Sequence, residues 1–347
     1  MKVLMIGPDL NARGGISSVV QGYIDNGLSR KCELTYLSST CSDNVFKKIK
    51  TYIKSISKSK KLIKENDIIH IHVSKNGSFF RKYYFIKKAH KYNRKIILHI
   101  HSSKFIEFYK SNKFVKKRIS RAFEISDKVI VLSNYWKEQF EKICDKSKLF
   151  VLYNGIPYHE KYNKDYKNEN VLFLGRICKE KGIGDLLKSM SYILQKFPNT
   201  QLYIGGLGDI KQYKFLSEKL NIDSNVHWLG WINNKEKYLK ECSVFILPSY
   251  HEGMPVSLLE GMTYGCACIA TNVGAIPEIV DNQQAILIKP GKIDDLSNAI
   301  ISIISNTQKK KKMGDSAQLT IKQKYNIDII INKLVKLYND IINYEKR

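Results

Sequence analysis

Short apolar runs alternate with longer segments of helical periodicity along almost the whole chain. The runs are continuous rather than alternating, which is typical of parallel strands whose sheet is covered by helices on both faces. Right-handed β-α-β crossovers would join such strands into parallel, doubly wound α/β sheets. The predicted strands are Lys2–Ile6, Glu33–Leu37, Ile68–His72, Lys95–His101, Lys128–Leu132, Leu149–Leu152, Asn170–Leu174, Gln201–Ile204, Val226–Leu229, Ser243–Leu247, Ala267–Ala270 and Ala285–Ile288.

A polar segment divides the predicted strands into two sets. Residues 158–170 are charged and have no apolar period, so we place a domain junction there. We predict two Rossmann-like domains, residues 1–160 and 165–325, that face a cleft. Residues 326–347 predict a long amphipathic helix that returns toward the N-terminal domain. Its apolar positions recur every three or four residues at Ile330, Leu334, Leu337 and Ile341.

The composition is that of a globular protein. The 347 residues are 43% hydrophobic and 26% charged, and no apolar run approaches the ~20 residues that a membrane-spanning helix needs. The opening MKVLMIGPD has an apolar stretch too short for a signal peptide. Seven cysteines, an odd number without a C-x-x-C pair, indicate reduced thiols. We therefore expect a cytoplasmic protein.

The positive charge is concentrated in one stretch of the chain. The formal net charge is +26, and residues 46–121 hold 23 Lys and Arg against Glu65, Asp67 and Glu107, a local balance of +20. Three interpretations are open. The lysines form solvated helix faces, or they attract anionic lipid head groups at roughly 1 kcal/mol each, or they bind nucleic acid. The sequence has no RNP-like aromatic strand, zinc finger or helix-turn-helix motif to support the third interpretation, so no nucleic acid is expected.

Within this stretch, apolar residues recur near helical spacing with lysines between them. This pattern predicts a basic amphipathic helix, and it favours an anionic membrane surface as a partner. The apolar positions are Phe46, Ile49, Ile53 and Ile56.

Several unusual groups follow predicted strands, where open α/β sheets bind their ligands. Gly14-Gly15 follows the first strand and opens a helix, so backbone amides there can approach an anion. Gly175-Arg176 ends a strand, and Lys181-Gly182 follows five residues later. An arginine can donate two parallel hydrogen bonds to phosphate oxygens, and a lysine adds a point charge. No complete G-x-G-x-x-G occurs, so a nicotinamide cofactor is poorly supported.

Two carboxylates bracket a helix start in the segment HEGMPVSLLEGM. Pro255 suits a first helical position, the helix runs from Val256 to Tyr264, and Gly265 ends it. Glu252 therefore precedes the helix, and Glu260 lies about one and a half turns inside it. The amides of Gly253 and Met254 favour an anion at the helix start, and the two acids can accept hydroxyl hydrogen bonds on either side of it. A nucleotide sugar has this layout.

Two His-Ile-His motifs, at residues 70–72 and 99–101, invite a zinc interpretation. Alternation places both histidines of a motif on one face of a strand. No carboxylate or cysteine in a matching motif completes a ligand set, so we predict no metal. His99 is expected to pack in the sheet, and His101 to be exposed at the strand end. His70 and His72 are weaker site candidates.

Taken together, these motifs resemble the retaining glycosyltransferases of family 4, which have the GT-B fold of two Rossmann-like domains. The resemblance covers nearly the whole chain, and its most specific element is the E-x7-E pair, Glu252 and Glu260. Gly261 and the run Cys266-Ala267-Cys268 depart from the usual family pattern at positions that concern packing. The other elements are Gly14-Gly15, His101, VLYNGIP, Gly175-Arg176 with Lys181-Gly182, and VHWLGWI.

The resemblance implies a role for each site residue. Arg176 and Lys181 would hold the donor diphosphate, and Glu260 the ribose hydroxyls. Glu252 would contact the donor hexose with the amides of Gly253 and Met254, and His101 would reach that sugar. The catalytic set is then Arg176, Lys181, Glu252 and His101. The donor-binding set is Gly14, Gly15, Gly175, Gly253, Met254, Pro255, Val256 and Glu260.

The resemblance also implies the reaction. We expect a metal-independent retaining hexosyltransferase without a cofactor, since no D-x-D motif occurs. It would use a nucleoside-diphosphate sugar, UDP-linked, and a lipid-linked surface polysaccharide acceptor such as capsule or O-antigen. Residues 1–160 would face the acceptor at the inner face of the cell membrane, and residues 165–325 would bind the donor. The alternatives are a GT-B nucleotide-sugar epimerase and a non-catalytic basic membrane-binding protein.

Overall fold

The computed structural model describes residues 1–41, 44–158 and 164–343, and these form two compact units. The first unit comprises Met1–Pro157 and Ile327–Arg347, and the second comprises Tyr158–Asn326. Part of the predicted junction, residues 159–163, lies outside the described residues.

The first unit alternates strands and helices. In chain order its elements up to the boundary are β1 (Lys2–Gly7), α1 (Gly15–Asp25), β2 (Glu33–Ser38), α2 (Val45–Glu65), β3 (Ile68–Val73), α3 (Gly77–Lys91), β4 (Lys95–Ile100), α4 (Phe105–Lys110), α5 (Lys113–Glu124), β5 (Lys128–Val131), α6 (Asn134–Phe140) and β6 (Leu149–Val151).

These strands form one parallel sheet in the order β2-β1-β3-β4-β5-β6. The central strands β1 and β3 are buried almost throughout, and the alternating histidines of β3 are buried with them. The layer of α2, α3 and α5 covers one side, with α3 packed against both neighbours. Side chains from these helices and from the central strands make one continuous apolar core.

The second unit repeats the alternation. Its elements are β7 (Val171–Leu174), α7 (Ile183–Ile193), β8 (Leu202–Gly205), α8 (Ile210–Lys219), β9 (Val226–Gly230), α9 (Lys235–Glu241), β10 (Val244–Leu247), α10 (Val256–Thr263), β11 (Ala267–Thr271), α11 (Ile276–Ile279), β12 (Ala285–Ile288), α12 (Ile293–Ile304) and α13 (Thr307–Thr320), followed by α14 (Ile327–Asn343) of the first unit.

The second sheet is also parallel, in the order β12-β11-β10-β7-β8-β9. The chain therefore leaves β7 in one direction, through β8 to β9, and returns on the other side through β10 to β12. Beyond the carboxyl ends of β7 and β10 lies the topological switch point, where doubly wound sheets bind ligands.

The α/β fold class is confirmed, with two parallel six-stranded sheets among the described residues. Strand positions agree with the apolar runs to within a residue or two at each end. The predicted start of the helix at Val256 is confirmed, but the expectation that Pro255 occupies a first helical position was wrong. Pro255 lies outside the helix. Its ψ of 113° is extended, so it precedes Val256 as the capping residue of α10.

Candidate functional site

Loops at the carboxyl ends of β7 and β10 carry Arg176, Lys181 and Glu252, and they bring Lys181 and Glu252 into contact. After β7 the chain continues through Gly175 and exposed Arg176 to a short helical turn, Lys179–Lys181. Gly182 then adopts a left-handed conformation with φ of 70°. A Cβ at this position would lie 2.1 Å from the carbonyl oxygen of Pro248, so only glycine lets the two loops approach this closely.

Lys181 and Glu252 form an ion pair across these loops. The Lys181 Nζ lies 2.5 Å from the Glu252 Oε1, and the Glu252 side chain is only 7% exposed. The amide of Tyr250 donates to the carbonyl of Glu180 at 2.8 Å, which ties the β10 loop to the turn that carries Lys181. The pairing keeps a nearly buried carboxylate compensated, and it holds a cation at the switch point.

The backbone of Glu252 is held from the other side by the loop after β11. Gly274 has φ of 56°, and a Cβ on it would lie 2.0 Å from the carbonyl oxygen of Glu252. The amide of Ala275 donates to the carbonyl of Gly253 at 3.2 Å. Three loops therefore fix this acid in place.

Glu260 lies inside α10, with 13% of its side chain exposed. Its Oε1 is 2.6 Å from the Nζ of Lys235, the first residue of α9. Thus each acid of the E-x7-E pair has its own lysine. The second Glu260 oxygen and the remaining N–H groups of Lys235 are suited to bind a polar ligand with vicinal hydroxyls.

Two further features of this edge were not singled out by the sequence. The segment Gly205–Asp209, GGLGD, follows β8 and runs beside the Arg176 loop. The amide of Ile177 donates to the carbonyl of Leu207, and that of Asp209 to the carbonyl of Ile177, each at 2.9 Å. A glycine-rich run directly after a strand was the signal available for this loop. For Lys235 the sequence offered no such signal, because this residue is one lysine among many.

Gly14 and Gly15 lie in the first unit, exposed, at the start of α1. A Cβ on either residue would meet no atom within 4 Å, so no neighbouring side chain requires glycine at these positions. They stand after β1, as the sequence indicates, and the space beside them is open.

His101 directly follows β4 and is partly exposed, while the other three histidines of the two motifs are buried. The four rings stack in a column. His101 Nε2 lies 3.0 Å from His72 Nδ1, and His70 Nε2 lies 3.2 Å from His99 Nδ1. At the far end, the hydroxyl of Tyr338 on α14 lies 2.6 Å from His70 Nδ1. His72 thereby fixes which ring nitrogen of His101 faces outward.

Burial keeps this column neutral. It lowers the pKa of His70 and of His101 to about 3 and holds the pKa of His72 and His99 well below the usual value. The neighbouring Lys82 is buried as well, and burial together with Arg81 lowers its pKa to about 7. Its Nζ donates to Ser78 Oγ at 3.0 Å.

Three of these histidines form a possible ligand set for a metal. Nitrogens of His70, His72 and His99 all lie within 4.8 Å of one another, the one group of three potential ligands found in residues 1–41, 44–158 and 164–343. No carboxylate or cysteine joins them, and Lys82 adds positive charge beside the column. A divalent cation there would be buried without an anion, which is costly. The expectation of no metal stays a prediction.

Two family models match the chain. Residues 37–160 match "Glycosyltransferase Family 4", and residues 156–320 match "Glycosyl transferases group 1". Together they cover the strands and loops that carry His101, Arg176, Lys181, Glu252 and Glu260.

Two similar proteins are also named as glycosyltransferases. The chain is 28% identical over 243 residues to the UDP-Gal:alpha-D-GlcNAc-diphosphoundecaprenol alpha-1,3-galactosyltransferase of Escherichia coli, covering 64% of this chain and 62% of that protein. It is 27% identical over 213 residues to the capsular polysaccharide biosynthesis glycosyltransferase CapM of Staphylococcus aureus, covering 59% and 53%. The match thus spans less than two thirds of these relatives.

The fold is shared with Anabaena HepE, whose structure was solved in complex with UDP-glucose. The TM-score is 0.76 at 18% identity, over 98% of this chain and 100% of that one. This similarity shows the GT-B fold, and the two family models cover most of the chain. The chain therefore belongs to the glycosyltransferases, with family 4 and group 1 domains on the GT-B fold.

Proposed function

We propose that this protein transfers a hexose from a UDP-linked sugar to a lipid-linked surface polysaccharide acceptor, with retention and without a metal. One observation carries the proposal. Lys181 pairs with Glu252 and Lys235 with Glu260, and exposed Arg176 follows β7, whose carboxyl end borders the switch point of the second sheet. This arrangement supplies cations for a diphosphate and carboxylates for hydroxyl groups, the two chemistries that a nucleotide sugar presents.

The charge changes of the reaction suit these residues. The bond between the sugar C1 and the β-phosphate oxygen breaks, the sugar gains oxocarbenium character, and negative charge grows on the departing diphosphate. Arg176 and Lys181 stabilise that charge, as positioned cations do in a site without a metal. The acceptor hydroxyl forms the new bond to C1 on the same face, and its proton passes to the departing phosphate oxygen.

The two acids bind opposite ends of the donor in this proposal. Glu260, with Lys235 on one oxygen, accepts from the ribose hydroxyls. Glu252 accepts from hexose hydroxyls, and Lys181 turns from Glu252 toward the diphosphate when donor binds. In this proposal His101 keeps the role that the resemblance implies, and its contact with His72 fixes the orientation of its ring.

The names of two relatives support this choice of substrates. The E. coli relative is named for UDP-galactose and a diphosphoundecaprenol acceptor, and CapM for capsular polysaccharide. A lipid-linked acceptor requires access to a membrane, and the +20 balance of residues 46–121 supports peripheral association with the anionic inner face of the cell membrane. None of the helices in residues 1–41, 44–158 and 164–343 has the length and hydropathy of a membrane span.

A turnover assay tests the proposal. Purified protein is incubated with a panel of UDP-, GDP- and ADP-sugars, with and without lipid-diphosphate-linked saccharide, and the sugar products are separated. Transfer to lipid from a UDP-sugar that disappears in Arg176→Ala and Glu260→Ala, and persists in the exposed Lys219→Ala control, is the expected result. Conversion of the donor sugar without acceptor would indicate an epimerase. Vesicle binding without turnover of any donor would indicate a non-catalytic membrane protein.

A further inference from the structure

Helix α2 exposes an apolar stripe, although apolar faces of surface helices ordinarily point to a core. Phe46 is 83% exposed, Ile49 52% and Ile53 60%, with Val45 at 66% beside them. At about 100° per residue these positions fall within an arc of about 100° on the helix surface. Three large hydrophobic side chains and a valine on adjacent turns thus form one continuous strip, which we call the α2 stripe.

The orientation of α2 is set by contacts on a different face. The residues that it buries are Ser55, Ser59 and Ile63. The hydroxyl of Tyr52 donates to the carbonyl of Arg81, and Lys88 Nζ donates to Ser59 Oγ at 3.2 Å, so α3 holds the helix in place. Rotating α2 to bury its stripe would break these contacts. The stripe is therefore presented outward by the fold.

Basic residues border the stripe. The helix carries eight lysines and a single acid, Glu65 at its last position, and every one of these lysines is exposed. The lysines are Lys47, Lys48, Lys50, Lys54, Lys58, Lys60, Lys61 and Lys64.

The charge pattern identifies the occupant of the stripe. A second copy packed on it through a twofold axis would bring eight lysines against eight lysines, which repel. A nucleic acid would pair with the lysines and leave Phe46, Ile49 and Ile53 in water. An anionic phospholipid bilayer offers phosphate groups to the lysines and an apolar interior to the stripe, and helices of this kind lie in the bilayer interface.

We propose that α2 is the membrane-inserting element of this protein, with the α2 stripe entering the acyl region of an anionic bilayer and the lysines contacting head groups. The insertion deepens the proposed function, because it rests on the same membrane at which a lipid-linked acceptor would be met. The neighbouring helices extend the surface. Phe80 on α3 and Phe114 on α5 are exposed, and their rings stack with centroids 6.0 Å apart. Both residues stand in the first turns of their helices, as Phe46 does.

Vesicle co-sedimentation of the full chain tests the proposal. The vesicles are phosphatidylcholine with and without phosphatidylglycerol. We expect the triple variant Phe46→Ser, Ile49→Ser, Ile53→Ser to lower the partition coefficient on anionic vesicles roughly tenfold or more. Phe215→Ser is the matched control, because Phe215 is 58% exposed on α8 and also has a lysine over its ring. It should leave partitioning unchanged.

A second variant and a spectroscopic measurement separate insertion from simple attraction. Lys50→Ser with Lys54→Ser should reduce the preference for anionic vesicles roughly tenfold or more. The indole introduced by Phe46→Trp should show a blue-shifted emission that spin-labelled acyl chains quench. Triple-variant binding equal to wild type, or an unshifted emission from the introduced indole on bound protein, would overturn the proposal. So would a wild-type dimer in sedimentation that the triple variant dissociates without any vesicle binding.

UDP binding measured on the same preparations keeps the two proposals apart. If the triple variant lost vesicle binding and kept UDP binding, the result would bear on the membrane role of α2 and not on the proposed transfer reaction. Absence of UDP binding in the wild type would contradict the proposed function whatever the vesicles show.

Discussion

The carboxyl edges of the two sheets differ in charge: the first holds neutral histidine rings, and the second holds charged ion pairs. In the first unit, β3 and β4 end in a column of neutral histidines, each with a pKa lowered by burial. In the second unit, the loops after β7 and β10 hold the ion pair Lys181–Glu252, and helices α9 and α10 hold the pair Lys235–Glu260. Both sheets are parallel and six-stranded, but their strand orders differ, and the switch point lies between β1 and β3 in the first sheet and between β7 and β10 in the second.

The difference lies in how each edge satisfies its polar groups. The histidine rings hydrogen-bond to one another and to Tyr338, while Nε2 of His72 and Nε2 of His99 are buried without a hydrogen-bond partner among the described residues. The lysines and glutamates compensate each other as charges, and the ion pairs remain partly open to solvent. A ligand with its own charges and hydroxyls can exchange with such pairs. The edge of the second unit is thus suited to a diphosphate, and that of the first to a rigid hydrogen-bonding surface.

The largest expected effect comes from removing charge at the second edge. Arg176→Ala should lower kcat/KM of sugar transfer by about 10²–10³-fold, because a positioned charge on the leaving group is lost. Steady-state kinetics check this, with Lys219→Ala as the control on the same unit. A loss below about threefold would show that the diphosphate is held elsewhere.

Acid should destabilise the first unit more than the second. The unfolded histidines have a pKa near 6.5, whereas the folded column binds protons only near pH 3 and below, so the unfolded state takes up more protons as pH falls from 6.5. The free energy of unfolding is therefore highest above about pH 6.5. Below that pH it falls by about 1.4 kcal/mol per pH unit for each additional proton that the unfolded state binds.

Urea denaturation at pH 7.5, 6 and 5 measures this dependence. His99→Asn should flatten it, and substitution of the exposed His90 by Asn should not. A curve for the wild type that is flat between pH 7 and 5 would contradict a buried neutral column.

Gly182→Ala tests the close approach of the β7 and β10 loops. The added methyl would meet the Pro248 carbonyl at 2.1 Å in a left-handed conformation, and we expect a loss of about 1–3 kcal/mol in the free energy of unfolding. Thermal denaturation measures it. Gly230→Ala is the control, since its φ is also positive, at 61°, but no atom lies within 4 Å of the added methyl. Equal losses at both positions would show that backbone strain, and not the contact with Pro248, destabilises the Gly182 variant.

The smallest effect belongs to Lys235. Lys235→Met should raise the Kd for UDP about fivefold and leave the Kd for 2′,3′-dideoxy-UDP unchanged, because Glu260 and its lysine act on the ribose hydroxyls in our proposal. Calorimetric titration provides both constants. Lys240→Met removes an exposed ion pair with Glu236 on the same helix and should have no effect. Equal weakening for both nucleotides would place Lys235 away from the ribose.

Sequence patterns predicted the strands well because parallel strands buried on both faces read as continuous apolar runs. They also predicted that Arg176, Lys181 and Glu252 follow strands. They could not show that Lys181 contacts Glu252, since 71 residues separate the two and the contact depends on β7 lying beside β10. Lys235 was missed because it is one lysine among many, and nothing in the sequence marks its contact with Glu260. The outward face of α2 was equally hidden, because spacing shows which residues share a face and not which face the core covers.

A crystal structure with UDP soaked in tests the central claim most directly. We expect the diphosphate within hydrogen-bonding distance of Arg176 and Lys181, the Lys181–Glu252 pair opened, and the ribose hydroxyls on Glu260. A diphosphate bound away from the loops after β7 and β10, with both ion pairs intact, would contradict the proposed function.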